Sequence, residues 1–329
     1  MIMSMKRLTF IGIAASLFFA WGCKEEMVGP SIAGIAIDTF AVKTNQEVLQ
    51  VDFSQKETVA FTGSWEADAK WIITITGKES GATKTLKGKD KAIDSVVWDG
   101  TSDGLFFKPN EVCEAVLSFE NYDNTDTASA LIKIVNTYAY DGIVLSDYET
   151  IGGIGWGGNN PITEDGVKLP QSQLMTAESE NIPVPQGNTY LQMSGYETGG
   201  KYYLAGNSLV VSDTIKVENP TTTYINFFVY GYPNYYQKST LFVFFRDKNA
   251  VEIGYQDRIK IPGIGWNAIS IPLSKLKATS NGTGVPFDYN SIVEGGLSLF
   301  SVDGTECAAK CAVDYFILTK GYALFPLYN

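Results

Sequence analysis

The sequence predicts an all-β protein made of two β-sandwiches in succession. After residue 23, short runs alternate apolar and polar residues, with Gly, Asn, Asp and Pro between the runs. The runs are rich in β-branched and aromatic residues, which favour the pleated, half-buried surface of a sheet. No stretch after residue 23 has the longer period of an amphipathic helix. The clearest predicted strands are residues 71–77, 115–119, 131–135, 241–245, 268–271 and 313–318.

The first 23 residues have the layout of a signal peptide. Lys6 and Arg7 precede an apolar run over residues 8–21, and polar residues follow Cys23. The run is about 14 residues long, shorter than the roughly 20 residues that span a bilayer. Residues 20–23 resemble a bacterial lipobox, although the first of them is alanine where leucine is usual.

The lipobox resemblance implies that Cys23 carries lipid. We therefore expect a lipoprotein held at the outer membrane or cell surface. Stable anchoring needs more than one acyl chain, and bacterial lipoproteins carry several. An ordinary signal peptide with an incidental cysteine remains the alternative.

A domain boundary is predicted near residues 136–142, where turn-forming residues interrupt the strand pattern. It divides the exported chain into residues 24–137 and 138–329. The first part has roughly 110 residues, the size of an immunoglobulin-like sandwich. The second has roughly 190 residues, which suits a two-sheet jelly roll with extended loops.

Three segments of the first part resemble the immunoglobulin-like modules related to the flagellar hook-capping protein. They are residues 70–77, 95–100 and 114–119, and the middle one contains the Trp-Asp-Gly turn of those modules. The resemblance implies an immunoglobulin-like fold. We expect Trp71 and Trp98 to be core residues, because large aromatic side chains dominate core energetics.

Three segments of the second part resemble the galactose-binding-like jelly rolls used as carbohydrate-binding modules. Residues 146–149 match the first strand, residues 265–273 match a strand with the order Gly-Trp, alternating apolar residues, Pro-Leu, and residues 313–316 match the last strand. The resemblance covers most of residues 140–321 and implies a galactose-binding-like β-jelly roll.

Together with the lipobox, this order of domains resembles the surface glycan-binding lipoproteins of the Bacteroides type. In that family an immunoglobulin-like spacer carries a terminal sugar-binding domain. The resemblance implies a non-catalytic protein that binds an oligo- or polysaccharide at an aromatic-lined site and serves a neighbouring outer-membrane uptake system. Two alternatives remain open: a structural or adhesion lipoprotein that binds protein partners, and a glycoside hydrolase or lyase.

The sequence contains no histidine. This excludes Ser-His-Asp and Cys-His catalysis, histidine zinc sites and histidine proton shuttles. The formal net charge of −11, without clusters of Lys and Arg, also argues against nucleic-acid binding. Carboxylate chemistry remains available, but the Glu-x-Asp-x-x-Glu motif of β-sandwich glycosidases is absent, and we expect no catalytic residues.

The resemblance to carbohydrate-binding jelly rolls implies a structural calcium ion. In many relatives, carboxylates on the first and last strands hold it, and Glu149 and Asp314 occupy those positions here. Asp147 is a further candidate. Calcium binds several hard oxygen ligands, which carboxylates and loop carbonyls supply. The alternative is that these are solvated strand carboxylates.

The candidate sugar-binding residues are Tyr232, Tyr235 and Tyr236, which lie beside turn-forming residues. Tyrosine combines an apolar ring, which stacks on the C–H face of a sugar, with a polar tip. Trp156 is a fourth candidate, in a glycine-rich stretch that fits the dinucleotide pattern but lacks the helix which phosphate binding needs. The alternative is that these rings only cover a loop.

Four cysteines are present, and one of them, Cys23, is assigned to lipid. Cys307 and Cys311 are close in sequence, and an exported protein can form disulfides, so we predict a bond between them. Two free thiols are the alternative. We expect Cys113 to be buried as a small apolar residue.

Overall fold

The computed structural model describes residues 34–42, 48–122, 128–149, 154–157, 161–164, 167–197, 203–279, 284–302 and 307–328. Strands dominate these residues, which confirms the all-β prediction. The predicted lipid site at Cys23 lies outside them. No helix in the described ranges is long and apolar enough to cross a membrane.

Six strands form a first sheet, called sheet I. They are β1 (Ile37–Val42), β2 (Val48–Asp52), β3 (Val59–Gly77), β4 (Thr83–Trp98), β5 (Val112–Phe119) and β6 (Ala128–Asn136), with a 3-10 turn at Phe53–Gln55. The order is β1-β3-β5-β6-β2, and β4 pairs with β3. The β2–β6 pair is parallel and the other pairs are antiparallel.

Strand β3 is long enough to pair with a different strand along each of its two halves. Its first half pairs with β1 and its second half with β5, and register shifts separate the two halves. Buried and half-buried residues alternate along β3, as expected when one face of a strand meets a core. Trp71 and Trp98 belong to that core, and Cys113 is fully buried, which confirms all three predictions.

The C-terminal unit contains the remaining strands and one short helix. They are β7 (Ile143–Ser146), β8 (Ile154–Gly157), β9 (Thr163–Glu164), β10 (Val167–Lys168), β11 (Ser172–Thr176), α1 (Ala177–Glu180), β12 (Thr189–Tyr196), β13 (Ala205–Ile215), β14 (Thr223–Gly231), β15 (Ser239–Asp247), β16 (Glu252–Gly254), β17 (Ile259–Lys260), β18 (Gly265–Pro272), β19 (Lys277–Ala278), β20 (Ile292–Ser301) and β21 (Ala308–Lys320). Two 3-10 turns lie at Tyr236–Lys238 and Leu273–Lys275.

Two sheets enclose the main core of the C-terminal unit. Sheet II has the order β11-β12-β21-β14-β18, with β7 on β21, and sheet III has the order β19-β16-β15-β20-β13-β8, with β17 on β15. Side chains from both sheets, such as Phe227, Phe245 and Phe316, meet in one apolar cluster. This two-sheet packing confirms the predicted jelly-roll class.

The predicted Cys307–Cys311 disulfide is wrong for this structure. Both residues lie in the described part of the chain, and no bond joins their sulfur atoms. Strand β21 begins at Ala308, so extended chain separates the two residues. Four residues of strand cover about 13 Å at roughly 3.3 Å per residue, well beyond the roughly 7 Å limit between Cα atoms of a disulfide. Burial raises the pKa of the Cys311 thiol.

Candidate carbohydrate-binding face

Alternation along β15 places aromatic rings on both faces of sheet III. Leu241, Val243 and Phe245 are fully buried in the core between the sheets. Successive side chains of a strand point to opposite faces. Phe242 and Phe244 therefore lie on the face turned away from the core, which we call the outer face of sheet III.

Glycines on the neighbouring strands make room for these rings. Phe242 lies against Gly254 and Phe244 lies against Gly296, and a Cβ atom at either glycine would collide with the ring. The two ring centroids are 6.3 Å apart with nearly parallel planes. Gly254 and Gly296 thus allow both rings to lie across the strand backbones, with Phe242 half-buried and Phe244 buried.

Phe300 on β20 extends this aromatic surface. Its centroid is 6.3 Å from that of Phe242 in an edge-to-face arrangement. The guanidinium carbon of Arg258 lies 3.9 Å from the Phe300 centroid, a cation–π contact. One face of the Phe300 ring is therefore occupied by Arg258, and Phe242 lies at its edge.

Beside the rings, Arg246 is fixed between two carboxylates. Its Nη2 donates to Glu252 Oε2 at 2.8 Å, and its Nη1 donates to Glu294 Oε2 at 2.9 Å. Burial by itself lowers the pKa of Arg246, but the hydrogen bond to Glu252 and the charges of Glu294 and Glu252 outweigh burial and raise it. Ser208 also donates its hydroxyl hydrogen to Glu294. The polar groups of the outer face are thus held in place by one another.

The outer face offers stacking surface and oriented polar atoms side by side. Apolar rings suit the C–H faces of sugars, and fixed charged groups suit their hydroxyls. The ionised side chains around Arg246 are one cation and two anions, and Arg258 over Phe300 adds a second cation, so these charges balance. Such a surface favours an uncharged, hydroxyl-rich ligand over an anionic one.

Trp156 is connected with the same face through its backbone. Its main chain pairs with Gly206, Gly206 pairs with Ser298, and Ser298 pairs with Phe242. The four residues therefore share one cross-strand row of sheet III. The side chain of Trp156 lies outside the described residues, so its role in binding stays a prediction.

Tyr232 is not an exposed stacking platform, and that prediction is wrong. The residue is buried, its hydroxyl donates to Glu180, and it accepts from Gln192 Nε2 at 3.1 Å. Lys310 Nζ lies 4.3 Å from the ring centroid and 2.9 Å from Glu180 Oε1. Burial, followed by the hydrogen bond to Glu180, raises the pKa of Tyr232. Tyr232 thus holds the segment of Glu180 against sheet II.

Tyr235 and Tyr236 are half-buried. Tyr235 packs against the small apolar cluster that contains Tyr232, and Tyr236 packs against the main core. Part of each ring is thus used in packing. Their contribution to sugar binding stays a prediction.

The predicted calcium ligands Glu149 and Asp314 hold one and the same loop. Glu149 Oε1 accepts from the amide of Asn188 at 2.7 Å, and Asp314 Oδ2 accepts from the amide of Gln186 at 3.0 Å. Burial raises the pKa of Asp314 well above its ordinary value, and the charges of Glu149 and Asp147 raise it further.

The chemistry of this site fits a cation in two respects. Gln186 Oε1 is buried and has no hydrogen-bond partner among the described residues, and Asp314 is a buried carboxyl near two further acids. Calcium would supply charge compensation there, with Asp314, Glu149 and the Gln186 oxygen as its protein ligands. No cluster of three or more acids, cysteines or histidines in the described ranges has metal-binding geometry, so calcium remains a proposal.

Sequence reasoning missed Phe242, Phe244 and the Arg246 network. The alternation of residues 241–245 contained part of the signal, because aromatic residues occupy both phases of that strand. The partners of Arg246 could not be recognised in the sequence. Glu252 and Glu294 lie on other strands, and only the sheet register brings them next to Arg246.

No protein-family model matches the chain, and no curated protein matches it. Solved structures with similarity include SGBP-B from a complex xyloglucan utilization locus in Bacteroides uniformis, with 15% identity, a TM-score of 0.38 and coverage of 88% of this chain and 73% of that chain. Another comes from work on carbohydrate-binding modules of the β-sandwich superfamily, with 12% identity, a TM-score of 0.36 and coverage of 89% and 100%. A third is the family 30 carbohydrate-binding module of a Clostridium thermocellum cellulosomal cellulase, with 14% identity, a TM-score of 0.35 and coverage of 55% and 98%. At such low identities and TM-scores the likeness assigns no ligand to this chain.

Proposed function

We propose that this chain is a non-catalytic glycan-binding protein whose outer face of sheet III binds a neutral oligo- or polysaccharide. The observation that carries the proposal is the Phe242 ring, laid over Gly254 beside the fixed Arg246 network. A pyranose ring can stack on Phe242 while its hydroxyl groups hydrogen-bond to oriented polar atoms.

The neutral character of the ligand follows from the charges around Arg246. Around Arg246, Glu252 and Glu294 share one guanidinium, so this part of the face has no excess positive charge to attract a uronic acid. A third carboxylate brought to this half-buried site would meet like-charge repulsion from Glu252 and Glu294. Uncharged glycans avoid that cost.

The same arrangement supports binding without hydrolysis. A glycosidase needs one carboxylic acid that protonates the leaving oxygen and a second carboxylate that acts as a base or nucleophile. On the outer face, Glu252 and Glu294 are both bound to Arg246. Both carboxylates are therefore engaged with the guanidinium, and the arrangement suits binding.

In the same proposal, lipid on Cys23 anchors the protein at the outer membrane or cell surface. There it would capture glycan for a neighbouring uptake system. A calcium ion held by Glu149 and Asp314 would stabilise the loop of residues 186–189. The apolar run before Cys23 and the paired carboxylates support these two parts of the proposal.

The test begins with a glycan-array screen on the full chain, followed by calorimetric titration of the best neutral ligand. Phe242→Ala should weaken binding by about tenfold or more, since a lost stacking surface is worth about 1.4 kcal/mol. Phe300→Ala is a second variant, and Tyr196→Ala is the control because Tyr196 is exposed on sheet II. Unchanged affinity in both phenylalanine variants, with melting curves showing folded protein, would refute the site.

A further inference from the structure

A second concavity lies where the two structural units meet. It is a pocket of about 430 Å³, within the roughly 300–1,000 Å³ typical of ligand sites. Its wall includes Lys108 from the loop between β4 and β5, Tyr138 and Tyr140 from the connecting segment, and Asn188 and Tyr315 from the C-terminal unit. None of these residues belongs to the outer face of sheet III.

The pocket exists because Phe106 joins the two units. This residue of the N-terminal unit packs against Tyr140 at 4.6 Å and against Phe228 and Tyr315 at 5.1 Å each, measured between ring centroids. Its amide also donates to the Pro185 carbonyl at 3.1 Å. The aromatic contacts fix one side of the junction, and the pocket occupies the space beside them.

A β-bulge turns Tyr315 toward this junction. The register between β14 and β21 shifts between Asn226 and Phe228, and Tyr315 has a positive φ of 48°. Bulges redirect side chains, and a left-handed backbone is costly for a bulky residue. Here the bulge lets Phe316 enter the core while Tyr315 faces Phe106.

Buried and half-buried carboxylates hold both rims of the pocket. On the N-terminal side, Glu111 is fully buried and accepts hydrogen bonds from the amides of Lys108 and Ser80. On the C-terminal side, Glu149 and Asp314 hold Asn188 and Gln186 as described above. The rims are therefore positioned before any ligand arrives, which lowers the entropic cost of binding.

The lining combines tyrosine rings, the Asn188 amide and two opposite charges, Glu79 and Lys108. Aromatic rings and amide groups suit a ligand that has apolar faces and many hydroxyls. The opposite charges of Glu79 and Lys108 balance, so the pocket has no preference for a charged ligand. We propose that this pocket is a second carbohydrate site, which takes a neutral mono- or disaccharide unit between the two domains. This site is independent of the glycan site on the outer face.

The test isolates the pocket by disabling the other site. The full chain carrying Phe242→Ala and Phe300→Ala is titrated with glucose, galactose, mannose, xylose and cellobiose, and binding is followed by saturation-transfer NMR. At least one sugar should bind saturably. Adding Tyr138→Ala, or Thr137→Trp to fill the pocket, should weaken that binding by about tenfold, since both positions line the pocket.

Tyr196→Ala in the same background is the matched control and should leave the affinity unchanged. Circular dichroism melting checks that each variant is folded. The two pocket variants change the pocket in opposite ways, since one removes a ring and the other fills space. The inference is overturned if none of the five sugars binds the Phe242 and Phe300 double variant saturably. It is also overturned if both pocket variants bind as the double variant does. Weaker binding of the array ligand by the single variants Phe242→Ala and Phe300→Ala tests the outer face, whereas the sugar titrations of the double variant test the pocket.

Discussion

Glu294→Gln should change which glycans bind to the outer face of sheet III. The substitution keeps the shape of the side chain but removes one negative charge from the group around Arg246. A uronate carboxylate docked about 6 Å away would lose a repulsion of about 0.7 kcal/mol at the dielectric constant of water and about 2.8 kcal/mol at an effective value of about 20. Because Glu294 is mostly buried, we expect an intermediate gain of about tenfold in affinity for acidic relative to neutral oligosaccharides.

The assay is a pair of calorimetric titrations, one with a neutral oligosaccharide and one with its uronate-bearing counterpart. Glu218→Gln is the matched control, because it removes the same charge from an exposed ion pair with Lys320. Added salt should reduce the gain, since screening weakens charge interactions. An unchanged ratio of acidic to neutral affinity in Glu294→Gln would refute the electrostatic reasoning, even if neutral glycan still binds.

Three further predictions concern other parts of the chain. Cys23→Ala should release the protein from the membrane fraction and abolish labelling with fatty acid; equal labelling of the variant would contradict lipidation at this residue. Millimolar calcium should raise the thermal midpoint of the metal-stripped protein, and Asp314→Ala should remove that rise; an absent rise in the unaltered protein would count against the ion. Hydrogen bonds from Tyr232 and Lys310 outweigh burial and lower the pKa of Glu180, so its stabilising effect should be full above its unfolded pKa and lost as the pH falls through the folded value. Urea unfolding from pH 7 to pH 3 should therefore show a smaller loss of stability in Glu180→Gln; identical pH profiles would argue that the cluster contributes nothing.

The strands could be predicted from the sequence because each depends on local alternation. Residues 241–245 illustrate both the strength and the limit of that signal. Their run of β-branched and aromatic residues predicted a strand, and the structure confirms it. The position of the Phe242 ring, by contrast, depends on Gly254, the register partner of Phe244 on the next strand, and that register is not encoded in the local pattern.

The error at Tyr232 has a similar physical origin. A tyrosine beside Pro233 and Asn234 looks exposed because such residues form surface turns. Its burial results from Glu180 and Lys310, which are distant in sequence and converge only when the helix segment folds over sheet II. Long-range polar partners of this kind leave no periodic trace along the chain.

The Phe106 junction has a consequence for how a captured polymer would be presented. Four aromatic neighbours and one main-chain hydrogen bond resist rotation of one unit against the other. The N-terminal unit then acts as a stiff spacer, and the outer face of sheet III keeps a narrow range of directions relative to that unit. If the chain is anchored through Cys23 as proposed, a polysaccharide bound there would keep a fixed orientation relative to the N-terminal unit, and its transfer to a neighbouring protein would need little reorientation.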